Sequence, residues 1–183
     1  MKIGFIGLGI MGAPMAGHLL DAGRALWLYD LAPLPPELLG KGATACASNR
    51  EVAEAGDLVI VMVPDTPDVE AVLFGPDGVA QGLDPGKTVV DMSTISPTAT
   101  QRFAGRINEL GCDYLDAPVS GGPVGAQKAA LTIMVGGPAQ ALERVRQHFE
   151  IMGKTITHIG EQNGAGQICK AANQIIVGIT VEA

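Results

Sequence analysis

The chain has 183 residues, of which 47% are hydrophobic, 17% are charged and only 4% are aromatic. This apolar content is enough for a packed core and excludes an intrinsically disordered protein. The net charge of −7 comes without any cluster of Lys and Arg, so we expect neither a nucleic acid nor a membrane among the partners.

Short apolar runs that end in Gly, Pro or Asp predict buried strands. In chain order they cover residues 3–6, 26–29, 58–63, 88–90, 112–115 and 131–135. The run at 58–63, L-V-I-V-M-V, does not alternate between polar and apolar residues, which is typical of a strand buried on both faces of a parallel sheet. Residues 155–159 do alternate, so a last strand is predicted at the outer edge of the sheet.

Helical segments are predicted between these strands. They cover residues 11–22, 34–39, 50–55, 69–74, 97–110 and 138–152, and a last helix runs from Gly166 to Ala183. Ser48 with Glu51 three residues later forms a capping-box pattern, and Ser96-Pro97 is typical of a helix start.

The alternation of strands with helices predicts an α/β fold, a Rossmann-type doubly wound and mostly parallel sheet. Such sheets bind ligands beyond the carboxyl ends of their strands. We assign residues 1–162 to this domain and residues 163–183 to the start of a long helix that leads out of it.

The first predicted strand runs directly into a glycine motif. Its residues are Gly7, Leu8, Gly9, Ile10, Met11 and Gly12, which match the G-x-G-x-x-G pattern of dinucleotide binding. Gly7 would make the tight turn, Gly9 would leave room for a pyrophosphate, and Gly12 would let the helix pack close to the strand. Because the motif follows a strand and opens a helix, we favour a cofactor site over a merely structural turn.

Asp30 ends the second predicted strand, where an acidic residue is expected to hold the ribose 2′-hydroxyl of the cofactor. Its carboxylate would repel a 2′-phosphate, and neither Leu31 nor Ala32 offers a positive charge to one. NAD is therefore favoured over NADP, and a solvated turn aspartate is the alternative interpretation.

Two further strand ends are expected to line the nicotinamide side of the same crevice. Val63 and Pro64 follow one strand, and Thr94 follows the next. For Thr94, a role as a helix cap is an equally open alternative.

Four segments resemble the β-hydroxyacid dehydrogenase family. They are F-I-G-L-G-I-M-G-A-P-M-A at 5–16, D-M-S-T-I-S-P at 91–97, D-A-P-V-S-G-G at 116–122 and G-A-G-Q-I-C-K-A-A-N-Q at 164–174. The branch of tartronate semialdehyde reductases is the most similar. The resemblance implies hydride transfer between a nicotinamide cofactor and a short 3-hydroxy acid/3-oxo acid pair, with reduction of tartronate semialdehyde to D-glycerate expected. Oxidation of 3-hydroxyisobutyrate or another β-hydroxyacid is the alternative.

The resemblance also implies the roles of five residues. Lys170 matches the catalytic lysine, Asn173 a substrate-holding amide, and Ser120, Gly121 and Gly122 the loop that binds a substrate carboxylate. Chemistry agrees, because reducing an aldehyde leaves an alkoxide that an ammonium group can stabilise and protonate. Asn173 follows Lys170 by three residues, which places both on one helix face.

The chain departs from the family in two respects. Ala129-Ala130 stand where relatives usually have Gly-Thr. Relatives also continue into an all-helical domain, expected to form a homo-oligomer, whereas this sequence ends at Ala183. The residues that would lack cover are Ile175, Ile176, Val177, Ile179 and Val181. Two interpretations stay open: part of a longer enzyme, inactive in isolation, or a dinucleotide-binding module without catalysis.

The remaining chemistry-bearing residues do not form a recognisable site. The three cysteines have no metal-ligand spacing and are expected to be reduced, as in a cytoplasmic protein, and the three histidines are scattered along the chain. No metal site is expected. The residues are Cys46, Cys112 and Cys169, and His18, His148 and His158.

Overall fold

The strands of the computed structural model, which describes residues 1–182, form a single mixed sheet. In chain order they are β1 (Ile3–Ile6), β2 (Leu26–Tyr29), β3 (Thr44–Ala45), β4 (Leu58–Val61), β5 (Thr88–Asp91), β6 (Asp113–Asp116), β7 (Val119–Ser120), β8 (Leu131–Gly136) and β9 (Gly153–Gly160). The spatial order is β3-β2-β1-β4-β5-β6-β8-β7, and β9 pairs with β8. The strands β1 to β6 pair in parallel, and β8 pairs antiparallel with both β6 and β7.

The helices pack on both faces of this sheet. They are α1 (Gly12–Asp21), α2 (Pro36–Gly40), α3 (Asn49–Ala55), α4 (Thr66–Phe74), α5 (Pro97–Asn108), α6 (Gly122–Gln127), α7 (Ala139–Met152) and α8 (Ala165–Glu182), with a 3₁₀ turn at Val79–Gln81. The chain winds from β1 outward to β3 and then back past β1 to β4, so the strand order reverses between β1 and β4. The predicted doubly wound α/β fold is confirmed. In such folds a ligand crevice is expected at the carboxyl ends of the two strands where the order reverses, here β1 and β4.

Strand β4 shows why its sequence does not alternate. Leu58 and Ile60 belong to the core under α1 and α7, whereas Val59 and Val61 belong to the core under α3, α4 and α5. All four side chains are fully buried. Burial on both faces, predicted from the sequence, is confirmed.

Most predicted elements are present, with shifts at their ends. The strand predicted at 58–63 ends at Val61, because the Val63 amide donates to the Ser93 hydroxyl, 3.1 Å away, instead of to a neighbouring strand. The strand predicted at 155–159 covers Gly153–Gly160 and lies beside β8 at the sheet margin, as expected. The predicted end of the last helix at Ala183 lies outside the described residues.

Candidate active site

The glycine motif lies where β1 turns into α1, and each glycine faces a different environment. Gly7 has φ +90°, and a Cβ there would lie 2.1 Å from the Met62 carbonyl oxygen. A Cβ at Gly12 would lie 1.9 Å from the Gly7 carbonyl oxygen, so the protein's own packing requires both glycines. A Cβ at Gly9 would meet nothing within 4 Å. Helix α1 has no side-chain cap, so open space and helix amides coincide where a pyrophosphate would fit.

The Asp30 carboxylate ties the end of β2 to the glycine motif. Its Oδ2 accepts from the Leu8 amide at 2.5 Å and its Oδ1 accepts from the Ala32 amide at 2.8 Å. Asp30 is half-buried, while Leu31 beside it is 94% exposed. Each carboxylate oxygen has a second lone pair, so Asp30 can still accept hydrogen bonds from a ribose while it orders the motif.

The loop after β5 is held by a buried polar network. The Ser93 amide donates to Asp91 Oδ1 at 2.9 Å, and the Tyr114 hydroxyl donates to Asp91 Oδ2 at 3.1 Å. Asp91 is fully buried, and this burial raises its pKa to about 6. The Ser93 hydroxyl accepts from the Val63 amide, which joins the ends of β4 and β5.

Thr94 is exposed between buried Ser93 and buried Ile95. Ser96 caps α5, accepting from the Ala99 amide at 3.4 Å. The alternative that Thr94 is the helix cap is therefore wrong. Its side chain stays free to contact a ligand in the crevice, beside half-buried Val63 and exposed Pro64.

The structure brings the end of β7 next to α8. The Asn173 carboxamide donates to the Ser120 hydroxyl at 3.4 Å. Gly121 has φ +129° and Gly122 has φ +57°, both are exposed, and a Cβ at Gly122 would meet nothing within 4 Å. The Ser-Gly-Gly backbone is therefore open to a ligand beside the Asn173 amide.

Lys170 is buried, which is unusual for a lysine on a helix. Only 7% of the residue is exposed, and burial lowers the pKa of its ammonium group. Among the described side chains, which end at Thr180, the ammonium has no hydrogen-bond acceptor and no carboxylate partner. An ammonium on a largely buried lysine, without a partner among the described side chains, is suited to interact with a bound ligand.

Sequence reasoning missed the residues that anchor α8. Asp116 is buried at the end of β6 and accepts from the Gly164 amide at 2.7 Å and the Gln167 amide at 3.0 Å. A Cβ at Gly166 would lie 2.4 Å from the Met134 carbonyl oxygen, so the helix starts in close contact with the sheet. Gln167 is 1% exposed and reaches the loop after β5. The only sign of this anchor in the sequence was an aspartate, Asp116, at a predicted strand end, together with a G-x-G segment much later in the chain.

A cavity of about 430 Å³ adjoins the glycine motif. It is lined by Gly9 and Ile10 and extends along α1 to His18, Glu37 and Lys41. Within the described residues, no group of three or more His, Cys, Asp or Glu side chains could hold a metal ion. None of the helices in residues 1–182 is both long and apolar enough to cross a membrane.

Comparison with known proteins places this architecture among nicotinamide-dependent proteins. The family described as the NAD binding domain of 6-phosphogluconate dehydrogenase matches residues 2–160. The chain is 56% identical to 2-hydroxy-3-oxopropionate reductase of Escherichia coli (strain K12) over 183 residues, covering 100% of this chain and 62% of that protein. It is 44% identical to NAD-dependent L-serine dehydrogenase of Pseudomonas aeruginosa, covering 97% of this chain and 60% of that protein.

A solved structure shares the fold over the full chain. The crystal structure of 3-hydroxyisobutyrate dehydrogenase from Salmonella typhimurium superposes with a TM-score of 0.92 at 36% identity, covering 100% of this chain and 64% of that one. The chain thus spans about three fifths of the length of its curated relatives. These similarities confirm the resemblance that the four sequence segments indicate.

Proposed function

Because the chain belongs to the family of NAD-binding domains described for 6-phosphogluconate dehydrogenase, we propose that it supplies the cofactor site and the proton donor of an oxidoreductase. The proposed reaction is the reduction of 2-hydroxy-3-oxopropionate (tartronate semialdehyde) to D-glycerate. The observation that carries this substrate is the 56% identity, over the whole chain, to the Escherichia coli reductase named for it.

The cofactor is held by backbone and by one carboxylate. The amides that open α1 would donate to the pyrophosphate near Gly9, and Asp30 would accept hydrogen bonds from the adenosine ribose. Val63, Pro64 and Thr94 line the nicotinamide side. When bound, the nicotinamide group supplies the hydride or accepts it.

The substrate carboxylate binds beside α8. The amides of Ser120, Gly121 and Gly122 donate to it, because glycine allows the backbone to approach closely. The Asn173 carboxamide, already in contact with Ser120, holds a substrate oxygen. This arrangement favours a short acid whose reacting carbon lies close to its carboxylate.

Lys170 protonates the reacting oxygen. Hydride addition to the aldehyde carbon leaves negative charge on the oxygen, which the buried ammonium stabilises and to which it transfers a proton. Burial lowers the pKa of the ammonium, which makes it a better acid than an exposed lysine. No carboxylate among the side chains of residues 1–180 pairs with the ammonium, which leaves its charge for the substrate.

Two other functions are supported by particular observations. The relatives include an L-serine dehydrogenase and a 3-hydroxyisobutyrate dehydrogenase, so another 3-hydroxy acid is the second candidate substrate. A module that binds the dinucleotide without catalysis is the third candidate, since the chain spans only about three fifths of its relatives.

A substrate panel on the full-length protein that carries this chain tests the proposal. Turnover is measured with NADH and NADPH on 2-hydroxy-3-oxopropionate, and with NAD and NADP on L-serine and 3-hydroxyisobutyrate. We expect the highest kcat/KM with 2-hydroxy-3-oxopropionate. A higher value with either hydroxy acid favours the second candidate, and cofactor binding without any turnover favours the third.

A further inference from the structure

The Gln167 side chain connects the helix that carries Lys170 to the loop that follows β5. Its Oε1 accepts from the Ile95 amide at 3.0 Å, and its Nε2 donates to the Ser93 carbonyl oxygen at 2.8 Å. Gln167 is 1% exposed, so both bonds form away from water. One carboxamide therefore holds the residues on either side of Thr94.

The same helix turn is fixed to the sheet from the other side. The Gln167 amide donates to Asp116, so the backbone and the side chain of one residue are held by two different strand ends. Gln167, Lys170 and Asn173 follow one another at intervals of three residues and share a helix face. Gln167 thus lies one turn from the proposed proton donor and in contact with the loop proposed to face the nicotinamide.

We propose that Gln167 is a positioning residue that sets the distance between the Ser93–Ile95 loop and Lys170. This inference rests on the proposed function and adds to it, since hydride transfer and protonation act on adjacent atoms of one substrate. The nicotinamide-facing loop and the lysine must therefore keep a fixed separation. A misplacement of about 1 Å at such a site reduces turnover by roughly a hundredfold.

The carboxamide is the group that the geometry requires. The site offers one donor, the Ile95 N–H, and one acceptor, the Ser93 carbonyl, and glutamine satisfies both. A glutamate of the same size could accept from Ile95 but would place an oxygen against the Ser93 carbonyl. A methionine fills similar space but leaves both backbone groups unpaired.

Gln167→Met and Gln167→Glu in the full-length protein test the inference, with Gln140→Glu on the exposed start of α7 as the matched control. Hydrogen exchange at the Ile95 amide, kcat, KM and the Kd for NADH are measured for each. We expect Gln167→Met to speed Ile95 exchange and to lower kcat by about tenfold or more, with the Kd for NADH nearly unchanged. Gln167→Glu should keep Ile95 protected, lower kcat, and move the basic limb of the kcat–pH profile upward, because the added charge lies one turn from Lys170.

The outcomes distinguish a failure of the proposed function from a failure of the positioning role of Gln167. If the unmodified protein turns over no 3-oxo or 3-hydroxy acid, the proposed function is overturned and the positioning role with it. If the unmodified protein is active and Gln167→Met retains its kcat, only the positioning role is overturned. Should Gln167→Met fail to fold, an unchanged kcat and pH profile in Gln167→Glu would overturn that role equally.

Discussion

Lys170 is the residue on which the proposed chemistry most depends. Lys170→Ala removes the charged group that is proposed to stabilise the reacting oxygen, so we expect turnover of the full-length protein to fall by about a hundredfold or more. The Kd for NADH should change little, because the proposed adenosine and pyrophosphate contacts lie at the glycine motif and Asp30. Steady-state kinetics and a fluorescence titration with NADH measure the two effects.

Two companion variants make this test specific. Lys154→Ala removes an exposed lysine on β9 and should leave turnover unchanged. Lys170→Arg keeps the positive charge but is a poor proton donor, so it should remain strongly impaired. Near-normal turnover in Lys170→Ala would refute the catalytic role.

Gly9 allows the cofactor site to be tested without disturbing the fold. Gly9→Val adds a side chain whose Cβ would meet nothing within 4 Å, so folding should be retained. The side chain would occupy the proposed pyrophosphate position, and we expect NADH affinity to drop by at least about tenfold. Gly105→Val on α5, where a Cβ also meets nothing, is the control. Equal NADH affinity in the two variants would contradict the site.

Asp30 is expected to set the choice between the two nicotinamide cofactors. NADH should bind more tightly than NADPH, because the half-buried carboxylate repels a 2′-phosphate. Asp30→Asn removes the charge and retains an acceptor for the Leu8 amide, so it should narrow the difference between the two Kd values. Tighter binding of NADPH by the unmodified protein would make this assignment wrong.

The sequence identified residues whose chemistry is recognisable in one segment, such as the glycine motif. It did not identify Gln167, because a glutamine on a helix carries no distinctive signal and its partner Ile95 is 72 residues away. Asp116 was missed for the same reason, since its partner Gly164 lies 48 residues later. Long-range hydrogen bonds of single polar residues could not be predicted from local pattern.

At the scale of elements, prediction succeeded where the pattern was strong. The Ser48 cap is confirmed, since its hydroxyl accepts from the Glu51 amide at 3.1 Å. The sequence pattern predicts neither strand β7 nor helix α6, because two strand residues are too few to show a period. The six residues of α6, G-P-V-G-A-Q, combine two glycines with a proline and lack an apolar stripe. Here tertiary contacts, including hydrogen bonds from His18 to the Ala126 and Gln127 carbonyl oxygens, outweigh local propensity.

The packing of α7 predicts how stability depends on pH. His148 is 1% exposed, and neither ring nitrogen has a hydrogen-bond partner among the described residues. Burial, together with the charges of Arg24 and the N-terminus, lowers its pKa from 6.5 to about 4. A neutral His148 therefore contributes stability that is complete above pH 6.5 and is lost as the pH falls toward 4.

The contribution of Asp91 to stability changes with pH in the opposite direction, over nearly the same pH range. Its pKa is 3.8 when unfolded and about 6 when folded, so its contribution to stability is complete below pH 3.8 and is lost as the pH rises through 6.

His148→Leu should remove the pH dependence of stability that His148 causes and leave the one that Asp91 causes. We expect its unfolding free energy, relative to that of the unmodified protein, to rise by about 3 kcal/mol between pH 7 and pH 4.

Denaturant unfolding at a series of pH values measures this difference. His158→Gln is the control, since the His158 ring is hydrogen-bonded to the Gly137 carbonyl oxygen at 2.8 Å. A stability difference between His148→Leu and the unmodified protein that does not change with pH would contradict the prediction.

On the scale of the whole molecule, helix α8 carries a set of exposed apolar side chains. Four of the five apolar α8 residues predicted to lack cover have side chains that the structure describes, and all four are exposed, by 43% to 67%. They are Ile175, Ile176, Val177 and Ile179. The fifth, Val181, lies outside the described side chains. The expectation of an all-helical domain that covers them, and of a homo-oligomer built through it, stays a prediction. So does the boundary between residues 162 and 163.

Helix α8 is fixed to the sheet at its first turn, close to Lys170, so any tilt of the helix would turn about that fixed point and move its far end most. From Gln167 to Thr180 the helix extends about 20 Å, whereas Lys170 lies only about 4.5 Å along the axis from the fixed point. A tilt that moves the far end by about 2 Å would displace the backbone at Lys170 by about 0.5 Å. A displacement of the distal end would therefore reach the proposed proton donor reduced to roughly a quarter, so the position of Lys170 is far less sensitive to such a tilt than the outer turns are.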